Sequence, residues 1–444
     1  MRQVALDILM RIEKQGSFSH ILIDDAIRKN KVSEKDEKLL TEIVYGTIER
    51  KMTLDYYLSS FIKSKKKVAD WVMMLLRLSV FQFVYLDKVP AYAIIHEAVE
   101  IAKNRGHKGI ASFVNGVLRN VERRGVEDIN TMDDPIERLA IATSHPKWLV
   151  QRWVDHYGYD ITKNMCETNV QKKPISIRVN QMKTTKSEVM EELKQFEIDA
   201  SFSPFVNDGI LIDKGNVLKT DLLEKGYVTI QDQSSMLAAN AVEVAPHMTV
   251  LDTCSAPGGK ATYISEMMND TGEIYAYDIN KNKTRFIQRN AERLGLTNII
   301  VGSKDARKLR TVHQDESFDR ILIDAPCSGL GVIRSKPDIK YSKQIQDIEK
   351  LQTSQYAIIE HVAPLLKVGG KLVYSTCTVE TLENEEVVKR FIKNHPHFKV
   401  DERFLEEVSK FRNLEANIST YGIQIFPQTM NADGFFISRL ERTS

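Results

Sequence analysis

From about residue 227 to the C-terminus, apolar runs of strand length alternate with stretches of helical period. That alternation constrains the fold more than any other feature of the chain. Strand-like segments stand at TVLDTC (249–254), EIYAYDI (273–279), NIIVGSKDA (298–306), FDRILIDA (318–325) and KLVYSTCT (371–378), with helical stretches such as 281–294 and 344–366 between them. Strands joined by helices predict a doubly wound, mostly parallel, Rossmann-like sheet. IQIF (423–426) and GFFISRL (434–440), separated by a short turn-rich stretch, predict a terminal antiparallel pair.

The first 125 residues follow another period. Val4, Ile8 and Ile12 recur every four residues, Leu54, Tyr57, Leu58, Phe61 and Ile62 keep helical spacing, and Ile110, Phe113, Val114, Val117, Leu118 and Val121 form one stripe that Gly125 stops. Ser33 with Asp36 reads as a helix start, and Pro90 as a first helical turn. The pattern predicts an all-α bundle of six or seven helices. The one span long enough for a membrane, residues 68–86, has Arg77 at its centre. A central arginine costs about 2.5–3.5 kcal/mol on insertion, so a buried core helix is expected and no membrane partner. Between bundle and sheet, residues 126–145 read as a connector with one short helix. A further helix follows at 148–157. ISIRVN (175–180), a helix at 185–196 and GILI (209–212) then make a small α/β piece.

At 444 residues the length suggests roughly three domains. The four cysteines, Cys166, Cys254, Cys327 and Cys377, include no C-x-x-C pair, and the N-terminus has no signal-peptide pattern. Reduced thiols and a cytoplasmic location are the expectation. Basic and acidic residues nearly cancel, 62 against 60, but residues 1–130 hold 22 against 17 and the remainder 40 against 43. Basic runs at Lys63, Lys65, Lys66 and Lys67 and at Arg119, Arg123 and Arg124 favour a phosphate-contacting surface on the bundle.

The strand–loop–helix LDTCSAPGGKATYI (251–264) places Gly258 and Gly259 where a backbone can approach a ligand at a helix N-terminus. A phosphate-binding P-loop would need Gly at Cys254 and Ser or Thr at Ala261. Asp278, twenty residues after Gly258, stands where a carboxylate reaches ribose hydroxyls, and Asp305 and Asp324 end the next two strand-like segments. An acid-lined crevice without phosphate-binding basic residues suits a cofactor that carries a ribose and a positive charge, such as S-adenosylmethionine.

Cys327 in IDAPCSGLG and Cys377 in YSTCT follow two strands expected to be neighbours, so both thiols should face that crevice. No histidine is paired with either. Two thiols fit a reaction in which one adds as a nucleophile and another group removes a proton. C5 methylation of a pyrimidine is such a reaction, because addition at C6 makes C5 nucleophilic. A carboxyl group at N3, for which Asp324 is placed, assists the addition.

DTCSAPGGK, AYDIN, KDAR, LIDAPCSGLGVIRSKPD, YSTCT and DGFF, with GYVTIQDQSSMLAA before them, resemble the ordered motifs of the Sun/Nol1/Nop2 family of RNA cytosine-C5 methyltransferases. The likeness runs from about Ile175 to the end. The N-terminal helices, through stretches such as DEKLLTEIVYGTIERK (36–51), resemble the NusB antitermination-factor fold, an RNA-binding bundle. The combination is that of a bacterial 16S ribosomal RNA methyltransferase.

The resemblance implies Cys377 as nucleophile, Cys327 in proton removal and product release, Asp324 at the target base and Lys260 in support. It implies Cys254, Ser255, Ala256, Pro257, Gly258, Gly259, Lys260, Asp278, Asp305 and Asp324 around S-adenosylmethionine. Asp278 would hold the ribose and Asp305 would lie near the adenine. Arg334 and Asp338 would contact RNA or position the site. The domains expected are a NusB-like RNA-binding bundle at 1–130, connector helices with a small RRM-like α/β subdomain at 131–215, and the methyltransferase at 216–444. Ribosomal RNA is the expected partner of a monomer, with no metal. One rival is an RNA-binding antitermination or assembly factor with an inert catalytic domain, against which the intact Cys327, Cys377 and Asp324 argue. Another is a relative acting on transfer RNA, against which the bundle argues.

Overall fold

The computed structural model describes residues 1–15, 27, 34–64, 67–411 and 417–444. Ser33 and, of the basic runs, Lys65 and Lys66 lie outside the described residues. The chain forms two compact units, Met1–Gln171 with Lys336–Ser342, and Lys172–Ser335 with Lys343–Ser444.

In the first unit, helices Arg2–Gln15, Glu34–Glu49, Lys51–Ser59, Asp70–Tyr85, Ala91–Arg105 and Lys108–Arg124 bury one core. Leu6, Leu9, Leu40, Leu54, Leu75 and Leu118 are fully enclosed in it. Pro90 caps its helix rather than entering it. Asp70–Tyr85 is buried on nearly every side because it runs through this core, and Arg77 is balanced by both carboxylate oxygens of Asp55 at 2.8 and 3.0 Å. Among the described residues no helix is long and apolar enough to cross a membrane. Gly46 is needed for close packing, since a Cβ there would fall 2.0 Å from the Phe81 ring.

Helices Pro135–Ala142, Lys147–Tyr157 and Tyr159–Asn169 complete the unit, the last of them not anticipated from the sequence. Asp134 starts the first by accepting from the N–H groups of Ile136 and Glu137, a cap worth about 1 kcal/mol. Lys336–Ser342 closes this unit. Lys340 Nζ donates to the carbonyls of Glu49 (2.9 Å) and Thr143 (3.4 Å), and Tyr341 OH also reaches Glu49 O and Ser144 O. Glu49 and Thr143 lie where two helices end, where carbonyls lack helical partners.

The second unit holds two sheets. Strands β1 (Ile175–Val179), β2 (Asp199–Phe202), β3 (Gly209–Lys214) and β4 (Val228–Ile230) form an antiparallel sheet in the order β2-β3-β1-β4. Ile177, Val179, Ile210 and Ile212 pack there with Val189 and Leu193 of helix Lys186–Gln195. Thr185 and Glu188 start that helix with a capping box.

The larger sheet begins with β5 (Thr249–Asp252), β6 (Glu273–Asp278), β7 (Ile299–Ser303), β8 (Phe318–Asp324) and β9 (Leu366–Thr376), all parallel. It continues with β10 (Phe398–Val400), β11 (Asn417–Ser419), β12 (Gly422–Ile425) and β13 (Phe435–Arg442). The order is β7-β6-β5-β8-β9-β13-β12-β11, with β10 also on β13. The terminal antiparallel pair is therefore built onto the main sheet, and β13 runs antiparallel to both β9 and β12. The strand order reverses between β5 and β8, and ligands of open α/β sheets sit at the carboxyl ends of strands at such a point.

Candidate active site

After Asp252 the chain leaves β5 and turns through residues 253–258 into helix Gly259–Met267. Backbone bonds pin this loop to strands on both sides: Thr253 N–H donates to Leu322 O (3.1 Å) and Ser255 N–H to Tyr277 O (2.7 Å). Gly258 caps the helix at φ 100°, and a Cβ there would sit 3.0 Å from Ile287 Cα. Only glycine takes that conformation without strain and also clears Ile287.

Lys260 lies in the first turn of the helix. Its Nζ donates to Asp324 Oδ2 at the end of β8 (2.7 Å), and Asp324 Oδ1 accepts from Ser375 Oγ of neighbouring β9 (2.9 Å). Burial opposes the charge on Lys260, but Asp324 outweighs it, so the ammonium holds its proton more tightly than an ordinary lysine. The same Nζ stands 5.1 Å from the centre of the Phe435 ring.

Asp278 ends β6 as expected and accepts from Asn280 N–H at 2.8 Å. Asp305 lies two residues beyond the end of β7, where it caps a short 3-10 helix and pairs with Arg307 at 2.6 Å. That arginine lowers its pKa. The strand had been read too long because Lys304–Asp305 continues it in sequence, but the cap ends it.

Asp252 was not singled out in the sequence. It is 1% exposed, its carboxylate oxygens and Ser255 Oγ have no hydrogen-bond partner, and burial pushes its carboxyl up to about 7. Burial likewise pushes the Cys254 thiol up to about 12, with Asp252, Asp324 and Asp278 adding to the shift. The loop thus faces several carboxylates, two of whose oxygens are buried and unsatisfied. Such acceptors fit the hydroxyls, amino group and positive charge of S-adenosylmethionine. The residues that would hold it are Cys254–Lys260, Asp252, Asp278 and Asp305.

Cys327 follows the end of β8 by three residues and Cys377 follows β9 by one. Their sulfurs are 3.3 Å apart and both thiols are free. The Cys377 contact and then burial raise the Cys327 pKa well above the ordinary thiol value. Glu383 braces the loop after Cys327, accepting from the N–H and hydroxyl of Ser328 and from Gln355. Sequence reasoning missed Glu383, because nothing local marks TLENEE (381–386) as buried.

Arg178 was also missed, although an arginine between Ile177 and Val179 in an apolar strand was a visible signal. It is fully buried on β1 and pairs with both oxygens of Glu266 at 3.0 and 2.7 Å. It also donates to Gly259 O at 2.8 Å and contacts Gln231. The small sheet therefore reaches the glycine loop directly. Of the two residues left open, Arg334 donates to Asn431 Oδ1 and to Lys172 O, both at 2.8 Å. Asp338 belongs to Lys336–Ser342, in the helical unit.

A doubly wound sheet with a glycine loop after its first parallel strand, acids at strand ends and a crevice at the order reversal defines a Rossmann-like methyltransferase domain. Comparison with known proteins narrows this. Residues 239–441 match the model described as 16S rRNA methyltransferase RsmB/F, residues 1–123 match the NusB family, and residues 145–218 match the ferredoxin-like domain of RsmF/B-like methyltransferases. The "Probable ribosomal RNA small subunit methyltransferase B" of Bacillus subtilis (strain 168) is 44% identical over 446 residues, covering 100% of this chain and 98% of that one. A protein of the same description from Synechocystis sp. is 32% identical, covering 99% of each chain. The crystal structure of PH0851 shares the fold with a TM-score of 0.83 at 24% identity, covering 99% and 98%. The chain belongs to the RsmB/F family of 16S rRNA methyltransferases. Its methyl donor is S-adenosylmethionine.

Proposed function

We propose that this enzyme methylates C5 of a cytosine in 16S ribosomal RNA through a transient bond between Cys377 and C6. The observation that carries the reading is the thiol pair, 3.3 Å apart beside the Lys260–Asp324 ion pair. Bound S-adenosylmethionine supplies the methyl group as an electrophilic sulfonium. The residues of this chain do the rest. Cys377 sulfur, as thiolate, forms a bond to C6 and shifts electron density onto C5 and N3. Asp324, oriented by Lys260 and Ser375, takes the proton that the Cys377 thiol gives up and passes it to N3 as electron density builds there. Once C5 carries the methyl group, Cys327, having given its own proton to water, removes the C5 proton as thiolate. The C6–sulfur bond then breaks, which restores the C5–C6 double bond, and N3 returns its proton through Asp324 to the freed Cys377.

The raised pKa of Cys327 fits that order of events. Its largest cause is the neighbouring Cys377 sulfur. When Cys377 becomes a thioether that contribution is removed, which eases ionisation of Cys327, while burial, Glu383 and Asp324 still oppose it. Residues 1–130 would grip RNA, 131–215 would join and support, and 216–444 would do the chemistry. A monomer suffices for this scheme, since one chain supplies every residue in it. Free thiols suit a reducing cytoplasm.

The test is to map 5-methylcytosine in 16S ribosomal RNA from cells with and without the protein, and after adding the purified enzyme back. One position should lose and regain the mark. An unchanged map would overturn the proposal.

A further inference from the structure

Lys173, Asp232 and Asp433 form a buried cluster that the proposed mechanism does not use. Lys173 Nζ lies 2.5 Å from Asp232 Oδ2 and 2.5 Å from Asp433 Oδ2, with 18%, 12% and 11% of the respective side chains exposed. Ser335 Oγ donates to Asp433 Oδ1 at 3.3 Å, and the backbone N–H of Asp433 points at the Asp232 carboxylate, 3.3 Å from each oxygen. Asp232 is itself fixed as the cap of helix Gln233–Asn240. Asp433 is thus held by both its side chain and its backbone.

The next residues lead to the thiols. Gly434 N–H donates to Gly331 O at 2.8 Å, and Gly331 N–H donates to Cys377 O at 3.0 Å. A Cβ on Gly331 would fall 2.0 Å from Gly434 O and 2.8 Å from Cys377 O. The three backbones are therefore pressed together with no slack. Phe435, one residue further on, supplies the ring beside Lys260.

We propose that Asp433 is a positioning residue: anchored by Lys173, Ser335 and Asp232, it holds Gly434 against Gly331 and so sets where Cys377 stands at the end of β9. The inference rests on Cys377 as the nucleophile. Burial and then Asp232 push the Asp433 carboxyl up to about 6, against the opposing pull of Lys173 and Ser335.

The experiment uses the full-length enzyme, S-adenosylmethionine and 16S ribosomal RNA transcribed with 5-fluorocytidine. Fluorine cannot leave C5 as a cation, so the Cys377–C6 bond persists and its rate of formation can be followed on denaturing gels. Asp433→Ala should form the adduct about tenfold more slowly or worse, as expected for a misplaced reacting group. Its affinity for S-adenosylhomocysteine should stay within about twofold of wild type. Asp433→Asn, whose amide oxygen still accepts from Lys173 and whose amide N–H can donate to Ser335 Oγ in place of accepting from it, should recover most of the rate. An Asp433→Ala enzyme with a wild-type adduct rate overturns the inference. So does one that loses S-adenosylhomocysteine binding and thermal stability together with the rate, since that marks a general structural role. If the wild-type enzyme itself forms no adduct, the C5 mechanism fails and the inference fails with it.

Discussion

Cys327 Sγ lies 3.3 Å from Cys377 Sγ, yet the two residues are fifty positions apart and unbonded. The contact exists because β8 and β9 are parallel neighbours in register, with Asp324 opposite Ser375. Strands aligned in this way present their C-terminal turns to the same space.

The two thiols should therefore be separable by what accumulates. Cys327→Ala is expected to trap a covalent protein–RNA complex, because addition proceeds and release does not. Cys377→Ala should form none. Denaturing gels of each variant with 16S ribosomal RNA and S-adenosylmethionine decide it, and the reverse pattern would exchange the roles.

Lys260 should matter through Asp324. In Lys260→Met the carboxylate keeps Ser375 but loses the ammonium 2.7 Å away. Single-turnover methyl transfer should fall by about 10²–10³, the usual cost of removing one preorganised donor. A rate within twofold of wild type would remove Lys260 from the chemistry.

Arg178 ties the small sheet to the glycine loop. Arg178→Met leaves Glu266 buried without its partner, a loss of about 3–5 kcal/mol in unfolding experiments. It also takes the arginine's donor from the Gly259 carbonyl and leaves that of Thr262, so S-adenosylhomocysteine affinity, measured calorimetrically on the folded fraction, should drop by roughly tenfold, or about 1.4 kcal/mol. Arg178→Lys should fall between, since a lysine cannot reproduce the two-pronged contact. Unaltered affinity in both variants would refute the link.

Lys340 should leave a mark on the pH dependence of stability. Burial lowers its pKa to about 7 in the folded protein, against an ordinary value near 10.4 when unfolded. Between these values the unfolded chain binds more protons, so stability rises with pH. The penalty is complete below about 7 and gone above about 10.4. Wild-type melting temperature should therefore gain more between pH 7 and 9 than that of Lys340→Met. Parallel curves would show that Lys340 does not titrate in this window.

The basic run at Arg119, Arg123 and Arg124 is exposed: Arg119 meets Glu122 at 2.9 Å, Arg123 meets Asn120 at 2.7 Å, and Arg124 lies 5.5 Å from the centre of the Phe61 ring. Replacing all three with alanine should weaken RNA binding and flatten log affinity against log salt by about two to three units. An unchanged slope would move the RNA surface elsewhere.

Much of the site was legible because its residues are adjacent in sequence. Cys254–Lys260 is one continuous stretch, a loop running into a helix, and Gly258 is dictated there by a positive φ and a close backbone approach. Asp278 and Asp324 could be placed by counting to a strand end. Asp305 could not, because a capping aspartate looks like one more strand residue. Strands β2 and β4 were also missed. DASF (199–202) is mostly exposed and VTI (228–230) is only three residues long, so neither shows a period.

Local pattern by itself determined the helical bundle, the parallel sheet and the glycine loop after its first parallel strand, because period, turn residues and strand ends act over a few positions. Tertiary structure alone decided that Arg178 reaches Gly259 across 81 residues, that Asp433 steadies the backbone behind Cys377, and that Lys340 caps helices nearly 200 and 300 positions away. Those contacts carry no local signature. Each is a buried charge whose cost is met only by partners that folding brings from elsewhere.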